Sequence, residues 1–85
     1  MLRVITTTEG QREVVHLAGR ICVADVMQLE ALHPEDRGAL CLDLSQVLSA
    51  DDAGVATLRS LRRQGAVLRD PSPYLRLLLD PEDSP

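Results

Sequence analysis

The run Ala39-Leu40-Cys41-Leu42-Asp43-Leu44 constrains this chain more than any other stretch. Side chains of a strand alternate between two faces, so a nearly continuous apolar run stays dry only when both faces are covered. That is the condition of an inner strand in a parallel sheet. Ser45-Gln46-Val47-Leu48-Ser49-Ala50 follows, and then Asp51-Asp52-Ala53-Gly54 opens an amphipathic segment. Val55, Leu58 and Leu61 share its inward face, while Arg59, Arg62 and Arg63 look outward. Acidic residues at its start and arginines at its end both complement a helix dipole, and Gly65 closes it. Ala66-Val67-Leu68 is then a minimal strand, which completes a strand–helix–strand unit.

Upstream, Leu2, Val4 and Thr6 alternate with Arg3, Ile5 and Thr7 as in a half-buried strand. Glu9-Gly10-Gln11 supplies a turn, and Val14-Val15-His16-Leu17 forms a second strand stopped by Gly19, giving an antiparallel hairpin. Asp25 is placed as a helix N-cap, with Gln28 completing a capping box. Val26, Leu29 and Leu32 line one face of that helix, Pro34 ends it early, and Glu35-Asp36-Arg37-Gly38 turns the chain. Downstream, Ser72 caps a last short helix with Pro73 at its first position and Leu75, Leu77, Leu78 and Leu79 along it. The expected fold is α/β, a mixed four-stranded sheet with three helices in the order β-β-α-β-α-β-α. Residues 1–80 are expected to form a single domain, and 81–85 a frayed tail.

Composition narrows the function. The chain has 85 residues and a single aromatic one, Tyr74, so its core must be aliphatic. A formal net charge of −4 argues against a general binder of nucleic-acid backbones, although all nine cationic residues are arginine. Cys22 and Cys41 lack any C-x-x-C spacing, and His16 and His33 add no ligand pattern, so neither a metal nor a cofactor is implied. Both cysteines read as buried free thiols among apolar neighbours. No signal peptide and no membrane-length apolar segment is seen, which places the chain in the cytoplasm without direct membrane insertion.

Three stretches resemble the STAS family, named for sulphate transporters and anti-sigma-factor antagonists. Val15-His16-Leu17-Ala18-Gly19-Arg20-Ile21 is similar to the family's second strand. Leu42-Asp43-Leu44-Ser45-Gln46-Val47, followed by Asp51-Asp52-Ala53-Gly54-Val55, resembles its signature of an apolar strand, Asp-Leu-Ser, then Asp-Ser-Ser-Gly-Leu opening a helix. Asp70-Pro71-Ser72-Pro73 resembles the Gly-Pro-Ser-Pro turn before its last helix. In antagonist-type members the second serine of the pair is phosphorylated by an anti-sigma-factor kinase, and the added charge releases the partner. Here Asp52 stands for the first serine and Ala53 for the phosphoacceptor, so the resemblance implies an interaction module without that switch.

The resemblance implies a working edge formed by the loops that leave the strand C-termini, with Cys22, Asp51, Asp52, Ala53, Gly54 and Asp70 on it and Thr57 and Arg59 exposed nearby. The expected partner is a protein: an anti-sigma-factor kinase-like regulator in bacterial signalling, or alternatively the ATPase of a lipid-trafficking ABC transporter. A homodimer is a further possible assembly. Cys22, His16 and Asp43 could be arranged on paper as a thiol–imidazole–acid set. No nucleophile elbow, P-loop or dinucleotide turn supports an enzyme, and catalysis is not the expected role.

Overall fold

The inner strand is where the apolar run places it. In a computed structural model describing residues 2–32 and 40–80, β3 (Leu40–Ala50) lies between β2 (Arg12–Ile21) and β4 (Val67–Arg69), parallel to both. β1 (Leu2–Glu9) pairs antiparallel with β2 and forms one edge of the sheet, in the order β1-β2-β3-β4. The helices are α1 (Val26–Glu30), preceded by a 3₁₀ turn at Val23–Asp25, then α2 (Asp52–Arg63) and α3 (Pro73–Leu79). Element order and the mixed four-stranded sheet agree with the sequence reading.

Alternation along the strands divides the side chains between two faces. Val15, Leu17, Leu40, Leu42 and Leu44 point to one face and pack with Leu29, Leu58, Leu61, Leu75 and Leu79 of the helices. Each is essentially inaccessible to water, so this aliphatic core supplies most of the burial that holds the fold. The helices are fixed at their starts: the Asp51 carboxylate accepts from Gly54 N, and the Ser72 hydroxyl accepts from Leu75 N.

Several local expectations are corrected. β2 does not stop at Gly19: it continues to Ile21, and Gly19 adopts φ +101° where the pairing with β3 shifts register. β3 likewise runs on through Ser45–Ala50. Asp25 makes no side-chain cap for α1, because its carboxylate turns back to Cys22. The expected ends of that helix at Pro34, the turn 35–38, Ala39 and the tail 81–85 lie outside the described residues. Among the described residues, no helix is long and apolar enough to cross a membrane.

Candidate functional site

The sheet is parallel from β2 to β4, so the exits of β2 and β3 lie side by side at one edge. Ile21 pairs with Ala50 there, and the two chains leave through Cys22 and Asp51. Asp51 joins them. Its backbone N–H donates to Ile21 O at 3.0 Å, while Oδ2 accepts from Val23 N at 3.1 Å and Oδ1 from Gly54 N at 2.8 Å. Cys22 donates through both its backbone N–H and its thiol to Asp25 Oδ2, at 3.0 and 3.2 Å. The backbone donation, then the thiol, pulls the Asp25 carboxyl below its ordinary value.

Gly54 allows α2 to start this close to β2. A Cβ at that position would meet Ile21 Cγ2 and Ile21 O, each at 2.8 Å, so any larger residue must push the helix away. Gly54 is consequently buried. Thr57, expected to be exposed, is only 6% accessible, and its Oγ1 donates to Ala53 O at 2.8 Å. The helix presses that face against the β2 exit and α1, so Thr57 offers no surface to a partner. What the edge does present is Asp52, exposed and without a side-chain partner among the described residues, beside half-buried Ala53. The adjoining 3₁₀ turn and α1 add two exposed apolar side chains, Val23 at 69% and Met27 at 83%.

Two expected members stand apart. β4 is short: Arg69 pairs with Asp43, whereas the β2 exit pairs with Ala50, seven residues further along β3. Because β3 is bulged in between, that is five residues along β2, and Asp70 therefore lies about 15 Å short of the exit along the strand direction. Arg59 is half-buried on the side of α2 that faces the C-terminal end. There Arg62 makes a bidentate bridge to Asp80 at 2.9 and 3.2 Å; these hydrogen bonds, with the nearby charges of Arg62 and Arg59, depress the Asp80 carboxyl. The arginine face of α2 is thus partly used within the fold.

A second polar cluster lies on the sheet face opposite the described helices. His16 Nδ1 is 3.0 Å from Asp43 Oδ2, and His16 Nε2 is 3.0 Å from Thr7 Oγ1. An ionised carboxylate only accepts, so Nδ1 donates to Asp43, while Nε2 and the Thr7 hydroxyl share the second hydrogen bond. Arg69 Nη2 donates to Asp43 Oδ2 at 3.3 Å, and Nη1 lies 3.6 Å from Glu9 Oε1. Donation from Ser45 N to Oδ1, helped by Ser45, Arg69 and His16, holds the Asp43 carboxyl at about 2 against an ordinary 3.8. The thiol–imidazole–acid set does not form: both imidazole nitrogens are taken by Thr7 and Asp43, and the Cys22 thiol is taken by Asp25. Among the described residues no group of His, Cys, Asp and Glu could hold a metal ion.

With the geometry in place, comparison with known families is decisive. Residues 5–79 match the family described as Mlab, STAS domain. The chain belongs to the STAS domain family. No curated protein sequence matches it. Among solved structures, the STAS chain is similar to the anti-sigma-factor antagonist SpoIIAA in its unphosphorylated form, with TM-score 0.70, 18% identity, and 94% of this chain and 82% of that one covered. An anti-sigma-factor antagonist from Mycobacterium paratuberculosis matches with TM-score 0.70 and 20% identity, covering 98% of this chain and 80% of that one. At these identities both show the fold alone. Mglu is 27% identical with TM-score 0.63 over 81% of this chain, but the STAS chain spans only about 20% of Mglu.

Proposed function

We propose that this STAS domain is a non-catalytic protein-interaction module in bacterial regulation, docking its partner on the edge where β2 and β3 give way to α1 and α2. One observation carries the reading. The first turn of α2 presents Asp52 and Ala53 to solvent where the family's signature has its serine pair, flanked by the exposed Val23 and Met27. An apolar pair beside an unpaired carboxylate suits a partner surface with an apolar anchor and a cationic rim. Ala53 has no oxygen to accept a phosphoryl group, so association here is governed by fixed chemistry and not by phosphorylation. Gly54 and Thr57 serve this edge from inside, by letting α2 seat against Ile21.

The partner that fits the resemblance is an anti-sigma-factor kinase-like regulator. A second reading, docking on the ATPase of a lipid-trafficking ABC transporter, has the missing serine pair in its favour, since such subunits also lack it. Intact-mass analysis after incubation with a kinase-like partner tests the missing switch. The unmodified mass is expected for the wild type, and a single phosphate for Ala53→Ser. A phosphate on wild-type Ser45 or Ser49 would overturn the reading.

A further inference from the structure

β1 is an outer strand whose second side pairs with nothing among the described residues. Free edges are templates for strand addition, and proteins normally protect them with bulges, prolines, lysines or short length. β1 has no bulge, proline or lysine and is not short; its only charges, Arg3 and Glu9, lie near its ends. It is 8 residues long, its register with β2 is unbroken from Leu2↔Gly19 to Glu9↔Arg12, and Thr6-Thr7-Thr8 are all β-branched.

The hairpin fixes which backbone groups are free. A two-residue loop, Gly10-Gln11 with Gly10 at φ +66°, closes on Glu9 and Arg12. The pair flanking such a loop exchanges both backbone hydrogen bonds, and the pattern alternates from there. Thr7, Ile5 and Arg3 therefore bond toward β2, while Thr8, Thr6 and Val4 direct N–H and C=O outward. The charged side chains of β1 are Arg3 and Glu9, of opposite sign, near opposite ends and on the same open face. Arg3 has no ion pair among the described residues, and Glu9 is 56% exposed.

We propose that β1 pairs antiparallel with β1 of a second copy about a two-fold axis at Thr6, joining two sheets into one of eight strands. In this register Thr6 faces Thr6 of the partner subunit as a hydrogen-bonded pair, Val4 faces the partner's Thr8, and Ile5 faces the partner's Thr7. Arg3 then stands opposite the partner's Glu9, twice by symmetry. A slip of one residue would oppose the two open faces, and a slip of two would leave Arg3 without its carboxylate. The second oxygen of Glu9 remains available to Arg69, so the open-face network continues across the junction. This assembly is independent of the partner edge at α2.

Sedimentation velocity on the full chain tests it. Wild type should run as a dimer at high micromolar concentration. Arg3→Glu or Glu9→Arg alone should raise the dimer dissociation constant about tenfold or more, because symmetry doubles each repulsion. The double variant Arg3→Glu/Glu9→Arg should restore dimerisation. Thr6→Pro removes an outward N–H that the monomer does not use, so it should give a folded monomer by circular dichroism. A wild type that stays monomeric at its highest soluble concentration, or a double variant no better than the singles, overturns the proposal.

Discussion

The two faces of the sheet exclude water by different means. On the helix face, Leu40, Leu42 and Leu44 are covered by Leu29, Leu58, Leu61, Leu75 and Leu79, an arrangement of aliphatic contacts indifferent to pH. Among the described residues no helix packs on the other face, yet Val14 and Cys41, paired across β2 and β3, are both 0% accessible. Arg69 reaches across this face. Its guanidinium lies between Asp43 on β3 and Glu9 on β1, at 3.3 and 3.6 Å, on the same face as the Cys41–Val14 pair. One face is built by hydrophobic burial; the other carries a strap of charge tied down at Asp43.

The largest effect is expected from the helix face. Leu42→Ala or Leu58→Ala should cost about 2–5 kcal/mol in denaturant unfolding, enough to threaten folding in so small a domain. An unchanged midpoint would mean that this core is misassigned. On the open face, Asp43→Asn should cost less, about 1–3 kcal/mol, by leaving Arg69 and His16 without their acceptor. Its signature is pH. The Asp43 carboxyl sits at about 2 in the fold and near 3.8 when unfolded. Its contribution is therefore complete above pH 4 and is lost as pH falls toward 2. Wild type should lose stability through that window more steeply than Asp43→Asn; equal slopes would remove Asp43 from the account. Arg69→Ala should be milder in stability but should uncover Cys41, seen as faster reaction with a thiol reagent in native buffer. Slow labelling equal to wild type would show that something else covers the pair.

That contrast also sets what could be read from the sequence. The helix face was legible because its signal is local: the run from Leu40 to Leu44 and the spacing of Leu58 and Leu61 state their own burial. So were the Ser72 cap and the role of Asp51 at the start of α2. The open-face network was not, since it takes side chains from four strands, and nothing in sequence brings Arg69 to Glu9. His16 and Asp43 were recognised as groups that could meet, but their third member is Thr7 and not Cys22. The edge was legible in part. The signature stretch indicated Asp52 and Ala53, whereas the burial of Thr57 depends on how α2 leans on Ile21. The separation of Asp70 depends on β4 being only 3 residues long, which no turn motif encodes. Val23 and Met27 were missed because an exposed apolar residue looks in sequence like one destined for the core.

The smallest structural effect belongs to the partner edge. Asp52→Arg should cost only about 0.3–1 kcal/mol through the helix dipole, leaving the fold intact by circular dichroism. Its effect on binding provides the most direct test of the central claim, that the partner docks at the α2 edge and not on the open sheet face. The measurement is calorimetric titration of an anti-sigma-factor kinase-like partner against wild type, the edge variant Met27→Asp/Asp52→Arg, and the open-face variant Arg69→Ala. The account predicts that the edge variant weakens binding by about a hundredfold, while Arg69→Ala binds as wild type does. Full affinity in a folded edge variant, with binding lost in Arg69→Ala, would contradict it.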